Sequence, residues 1–242
     1  MNAHYPRMTA RWFTDPAAKG PSAITPTFTP AELQAFEEIL TFARDPANAE
    51  MELLLCVDAA GTCEYGRSTG RKGAPFTPEI DAAIAASCGV RQWHNHPSQD
   101  SLSHHDWLCA GLSDMVEVLA LNDQGSIFVG RIVKWDDRLH GLLESLPRLA
   151  ADLEMHVDGL AKDRGFAAIH LVAMASLTGH MLNTALANTM PVRYAYALQN
   201  ADQRTIVAAD ALSIIADGIA FAEQAIQEWL DKHAPASDAE PL

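Results

Sequence analysis

Basic residues are scarce in this chain. It carries 17 lysines and arginines against 31 aspartates and glutamates, a formal net charge of −14. That imbalance argues against a dedicated nucleic-acid partner, because neutralising phosphates takes clustered cations. Long apolar runs are missing as well. The best of them, Leu53 to Val57, is strand-sized and falls far short of the ~18 residues of a membrane span. The first twenty residues hold no apolar stretch of secretory-leader length. The expectation is a cytoplasmic protein with no membrane partner. Cysteine is sparse and unpatterned: Cys56, Cys63, Cys88 and Cys109 stand at no C-x-x-C spacing. This excludes a cysteine-ligated zinc ribbon and leaves the four as free core thiols in a reducing compartment. No segment recurs at a fixed period, so solenoids are excluded. The His-x-Glu and Pro-Cys-x-x-Cys pair that a zinc nucleobase deaminase needs is absent too.

What is present supports a packed core: 242 residues, 48% hydrophobic and 20% charged. Residues 1–28 are rich in Pro, Thr and Ala with little periodicity and read as a loosely ordered arm. Thr29-Pro30-Ala31-Glu32 combines an N-cap hydroxyl, Pro at the first helical position and Glu at the third, so a helix is expected from Pro30 to Arg44. Met51–Val57 and Thr62–Arg67 flank a turn containing Gly61 and read as a hairpin. A loop near residues 70–73 follows, then a helix from Thr77-Pro78 to about Ala86. Val90–His96 is a third strand, Ser103–Leu112 a helix, and Met115–Leu121 and Ser126–Val133 two more strands. The expected fold class is α/β (α+β): a mixed sheet flanked by helices over residues 29–140, with its core at 48–135. Beyond residue 140 the composition turns Ala- and Leu-rich, and 141–163, 166–188 and 206–233 have helical periodicity. An all-helical C-terminal extension, 141–242, is expected there, with residues 192–200 open between helix and strand and a frayed tail from Ala234. This region is a candidate surface for a homodimer or another protein partner.

The chemistry concentrates in His94-Asn95-His96-Pro97 and Ser103-His104-His105-Asp106. Residues i and i+2 of a strand share a face, so His94 and His96 can reach one ion. Pro97 ends the strand, and the loop returns Asp106, in the first turn of the next helix, toward the same point. Two imidazoles and a carboxylate make a three-ligand zinc set with a fourth position left for water, whose pKa zinc lowers toward neutrality. A hydrolase also needs a general acid/base. Glu52, a carboxylate opening an otherwise apolar strand, is the candidate, and Glu50 lies two residues upstream on the same side. Ser103 can donate a hydrogen bond to a developing oxyanion. Ser103-x-x-Asp106 is equally a capping signature, and Ser103 can serve both ends. His104 and His105 read as solvent-facing. His140, His156, His170 and His180 read as surface or satisfied core residues.

On these residues the chain resembles the JAMM/MPN+ metalloprotease family, also called JAB domains, and within it the bacterial and phage branch, where His-Asn-His-Pro-Ser is usual. The resemblance covers about residues 48–135. It implies His94, His96 and Asp106 on one zinc ion, Glu52 as acid/base and Ser103 as oxyanion donor. It implies hydrolysis of a peptide or isopeptide bond, often at the C-terminus of a ubiquitin-like protein. Loops beside such a groove set specificity, and Gly66 to Phe76 is the candidate substrate-contacting loop. The alternative is a protein that keeps the fold as a binding or scaffold module, assembling through 141–242 without turnover.

Overall fold

The hairpin and the helix caps expected from the sequence form, and each has a local cause. In the computed structural model, which describes residues 20–24, 28–71, 73–97, 100–166 and 171–234, helix α1 spans Pro30–Arg44. It opens on a reciprocal capping box: the Glu32 backbone N–H donates to Thr29 Oγ1 at 3.2 Å and the Thr29 N–H to the Glu32 carboxylate at 2.6 Å. Strands β2 (Met51–Asp58) and β3 (Glu64–Arg71) pair antiparallel. Their turn closes on the Asp58 carboxylate, which accepts the N–H groups of Thr62 and Cys63. Helix α2 (Pro78–Ala85), strand β4 (Val90–Asn95) and helix α3 (His104–Leu112) follow. Then come β5 (Glu117–Leu121) and β6 (Ile127–Ile132).

Among the described residues one seven-stranded sheet forms, in the order β1-β7-β6-β5-β4-β2-β3, where β1 is Pro21–Ala23 and β7 is Val192–Ala197. It is mixed: β4 and β5 run parallel, as do β1 and β7, and the other neighbours are antiparallel. A parallel pair needs a crossover, and α3 provides it between β4 and β5. The two faces of the sheet are read from strand alternation. Leu53, Leu55, Val57, Trp93, Leu119 and Leu121 form one core with Ile39 of α1. Leu54, Cys56 and Val90 face the other way, onto Ile80 of α2, and Val118, Ala120 and Phe128 continue that face under α3. Helices therefore cover both faces, as the fold class predicts. A buried ion triad fixes α1 to the sheet: Arg91 bonds both Glu32 and Glu117, and all three side chains are sequestered from water.

The C-terminal region is mainly helical, with α4 (Asp137–Asp163), α5 (Leu171–Thr189), α6 (Asn200–Asp210) and α7 (Ile214–Lys232). It is not wholly so. Residues left open between helix and strand resolve into β7, Val192–Ala197, paired antiparallel to β6. Val192, Tyr194 and Tyr196, β-branched and aromatic, alternate with Arg193, Ala195 and Ala197, which suits a pleated surface. The unpaired edge of β6 is what recruits it, and no local pattern announces that edge. The core also runs across residue 140: Trp107, Val118 and Phe128 share one apolar cluster with Leu142, Leu186 and Ile226. The periodic stretch at 206–233 is two helices rather than one, broken at Ser213, which holds φ +58°. Part of the expected loose arm is ordered. Pro21–Ala23 is strand β1, parallel to β7 at the sheet edge, where a proline costs no ladder bond. Residues 1–19, 25–27 and the tail from 235 lie outside the described residues. Among those described, no single helix is long and apolar enough to cross a membrane.

Candidate metal centre

His94 lies near the end of β4 and His96 one residue past it, where the His96 N–H still bonds the Leu121 carbonyl of β5 at 2.8 Å. Both imidazoles leave the same face of the sheet. Asp106 is the third residue of α3, capped by Ser103, so its carboxylate sits at a helix N-terminus where negative charge is favoured. The crossover folds that terminus back over the strand end. The Nε2 atoms of His94 and His96 are 2.8 Å apart, His94 Nε2 lies 3.0 Å from Asp106 Oδ1, and His96 Nε2 lies 3.2 Å from Asp106 Oδ2. All three residues are buried. Among the described residues this is the one group of histidines, cysteines and acids that could hold a metal ion. Two imidazole nitrogens facing one another at 2.8 Å need a proton or a cation between them. A tetrahedral ion with bonds of about 2.05 Å has donor–donor edges of about 3.3 Å, so only a few tenths of an ångström separate these contacts from that geometry.

The atoms behind the ligands are also arranged. His96 Nδ1 lies 3.1 Å from the Asp100 carbonyl. A carbonyl only accepts, so Nδ1 carries the proton there and Nε2 is the atom turned toward His94 and Asp106, where it could bind an ion. Asp106 Oδ2 accepts from the Ser103 N–H at 2.6 Å and from Ser103 Oγ at 2.8 Å, while the Asp106 N–H donates back to Ser103 Oγ at 3.3 Å. The capping role and the ligand-orienting role of Ser103 are thus one arrangement. Gln92, two residues before His94 on the same face, approaches His94 Nδ1 at 3.5 Å through its amide nitrogen, and its buried amide oxygen has no partner. Rotating that amide by 180° places the oxygen where it can accept a proton from His94 Nδ1.

Electrostatics fit a charged ligand set. Burial opposes ionisation of Asp106, but the two imidazoles overcome it and hold the carboxyl well below the usual carboxylate range. Burial likewise opposes a charged His96, and the Asp106 carboxylate outweighs it, raising the imidazole to about 9. Cys109, one turn beyond Asp106, is pushed up to about 11 by burial and by the same carboxylate, so it is an inert thiol. Cys56 is buried, whereas Cys63 and Cys88 are exposed, correcting the expectation that all four are core thiols. Both exposed thiols sit beside turns, which close without burying them.

Glu52 and Glu50 separate clearly. Glu50 is 79% exposed and meets Arg71 at 3.7 Å on the rim. Glu52 is half-buried, on the face of β2 that carries Leu54, and Leu54 pairs with His94. The antiparallel register therefore aims it at His96, whose titration feels its charge. Asn95, between the two histidines and pointing to the opposite face, fixes this placement. Its amide oxygen accepts the Leu53 N–H at 2.7 Å and its amide nitrogen donates to the Met51 carbonyl at 3.0 Å, gripping the backbone on both sides of Glu52.

The centre opens on a cleft of about 1410 Å3. Glu52, His96, Ser103 and Asp106 line it on one side, and Leu146 and Pro147 of α4 with Leu182 and Asn183 of α5 line it on the other. Pro147 sits inside α4, where its missing N–H leaves the Leu143 carbonyl without a helical partner. His104 and His105 reach the cleft from α3. The segment Gly66 to Phe76, expected to be a substrate-contacting loop, is strand in its first half. β3 runs on to Arg71, because pairing with β2 continues to Met51, so the loop proper begins after it. Arg71, Gly73, Ala74 and Phe76 still line the cleft. His170 lies outside the described residues. His180 is a buried core residue, pushed down to about 4 by burial.

Comparison with known proteins adds no assignment. No family model, curated protein or solved structure matches this chain. Its resemblance to JAMM/MPN+ proteins rests on the motif residues alone.

Proposed function

We propose that the chain is a zinc-dependent hydrolase of peptide or isopeptide bonds, working with the division of labour that its JAMM-like motif implies. The observation that carries this reading is the convergence of His94, His96 and Asp106 in the wall of a cleft that also holds Glu52. Two imidazole nitrogens and one carboxylate oxygen suit zinc better than magnesium or calcium, which take oxygen ligands. Three protein ligands leave a coordination position free, as catalytic zinc sites do. When bound, zinc supplies a Lewis acid for the scissile carbonyl and lowers the pKa of water beside it.

The chain's own residues do the rest. Glu52 takes a proton from the attacking water as its oxygen bonds to the carbonyl carbon, then gives that proton to the amine nitrogen as the C–N bond breaks. The Ser103 N–H holds Asp106 Oδ2 throughout. The Ser103 hydroxyl can exchange that oxygen for the substrate's oxyanion, where it strengthens a charge that develops only during reaction. The α4–α5 wall gives the cleft room for several residues of an extended chain, consistent with the C-terminus of a ubiquitin-like protein as substrate.

Metal analysis of the purified chain, followed by cleavage assays on peptides and on isopeptide-linked ubiquitin-like fusions, tests the proposal. Wild type should bind one zinc per chain and turn over. Glu52→Gln should keep the zinc and lose turnover by at least about 100-fold. Stoichiometric zinc with no hydrolysis across the panel would favour a binding module instead, and turnover retained in Glu52→Gln would remove Glu52 from its role.

A further inference from the structure

Between His96 and the start of α3 the described residues form no helix or strand, yet Asp100 to Ser103 are each held by a hydrogen bond. The Asp100 carbonyl holds His96 Nδ1–H, and Ser103 caps Asp106. The remaining ties come from the C-terminal region, up to 93 residues away in sequence. Trp107, next to Asp106, donates Nε1–H to Asn183 Oδ1 at 2.7 Å. Asn183 Nδ2 donates to the Leu102 carbonyl at 2.8 Å and to Ser101 Oγ at 3.1 Å. Ser101 Oγ lies 2.7 Å from Tyr194 Oη, which lies 2.9 Å from His180 Nδ1.

One direction through these contacts gives each hydroxyl proton an acceptor. Asn183 spends a proton on Ser101 Oγ, so the Ser101 proton goes to Tyr194 Oη and the Tyr194 proton to His180 Nδ1. The line then starts at the Trp107 donor and ends at the His180 acceptor, with Ser101 and Tyr194 each accepting one bond and donating one between them. All five side chains are buried. Within a dry core such a chain is mutually reinforcing, and removing one member strands its neighbours.

We propose that Asn183, Tyr194 and His180 are positioning residues of the metal centre, holding segment 100–107 so that His96 and Asp106 are set for the ion before it arrives. The helical C-terminal region is on this view part of the metal site. Asn183 also lines the cleft, so the same residue that sets the ligand loop faces the substrate space. The proposal rests on the reading of His94, His96 and Asp106 as ligands, and the test separates the two.

Zinc alone, competed against a chelator of known affinity, is measured on the full chain as wild type, Asn183→Leu, Tyr194→Phe and Thr184→Val. Thr184 lies on the same helix with its buried hydroxyl unpartnered, so its variant reports on the helix and not on the loop. Asn183→Leu should weaken zinc by about tenfold, the low end of the loss for a hydrogen bond made directly to a ligand, because Asn183 holds the residues flanking the ligands. Tyr194→Phe, which keeps the ring and its packing, should weaken it at least threefold, and Thr184→Val less than twofold. A purely structural role would lower the melting temperature of the metal-free variants and leave zinc affinity, measured well below melting, within threefold of wild type; that result overturns the proposal. Should Asn183→Leu fail to fold, Tyr194→Phe decides, together with amide exchange on wild type. Zinc should slow exchange at 180–183 and at Tyr194 as well as at 101–107, because coupling is reciprocal. Protection confined to 94–107 overturns the proposal. Wild type that takes up no zinc overturns the metal reading itself.

Discussion

Zinc uptake at this centre should expel a proton, and the amount follows from His96. In the metal-free protein its imidazole is raised to about 9: burial opposes the charge, and the Asp106 carboxylate, with Oδ2 at 3.2 Å, outweighs it. Its Nδ1–H is committed to the Asp100 carbonyl, so the proton that must leave sits on Nε2, the ligand atom. At pH 7 a group titrating at about 9 is ~99% protonated, and binding should release about one proton per ion from His96. An ordinary imidazole with a pKa of ~6.5 would release only about a quarter. Apparent affinity should then rise about ninefold from pH 7 to pH 8 and about 50-fold by pH 9. Calorimetry at pH 7 in buffers of different ionisation enthalpy reads the proton count directly. A release of a quarter proton or less would refute the idea that Asp106 keeps His96 charged. The same shift carries a sign for stability. A pKa raised from 6.5 to about 9 in the folded state contributes stability that is fully present below pH 6.5 and lost as pH rises through 9. It amounts to about 3 kcal/mol at 1.36 kcal/mol per unit, with little screening because both side chains are under a tenth exposed. Asp106→Asn should abolish that alkaline loss in the metal-free protein.

Three further outcomes follow from the same geometry. A β-carbon at Gly130 would lie 2.6 Å from Leu102 Cδ1 and 2.8 Å from Trp107 Cη2, so Gly130→Ala should cost ~1–3 kcal/mol by overpacking; an unchanged urea midpoint would count against this packing. Ser103→Ala removes both the cap of α3 and a donor to Asp106 Oδ2; about 1 kcal/mol of stability and about tenfold in zinc affinity should go together, by urea and by chelator competition, and loss of only one would separate the two roles. His180, pushed down to about 4 by burial, is protonated more readily when unfolded, so folding stability should fall as pH drops from ~6.5 to about 4, by up to ~3 kcal/mol. Urea midpoints at pH 7 and pH 5 should differ less in His180→Gln than in wild type, and an equal difference would exclude His180 as the source.

Local patterns made the ligand end of the site readable. His94 and His96 share a face because a strand has period two, and Pro97 marks where the strand gives out. Ser103 and Asp106 carry a capping signature that is also the donor arrangement around the third ligand. The hairpin placed Glu52 beside them, and its register against β4 separates it from Glu50, a distinction sequence spacing could not draw because both residues lie on one side of the strand. Asn95 was passed over for a related reason. Alternation sends it to the face opposite its neighbours, and only the pairing of β2 with β4 shows that it grips the backbone around Glu52.

The other half of the site was hidden because it is held by contacts between residues far apart in sequence. Val192–Ala197 has enough alanine to fit a helix, and it is a strand because the edge of β6 is available. Tyr194 then reaches Ser101 across 93 positions and Asn183 reaches it across 82. One signal was present all the same. His180, Asn183 and Thr184 are polar residues buried within α5, and a polar side chain on a buried face must find a partner or cost several kcal/mol. His180 and Asn183 find theirs in the metal loop and in β7; Thr184 does not. The contrast between two partnered residues and one orphan on a single helix is what marks the first two as belonging to the site, since burial alone makes no distinction among the three.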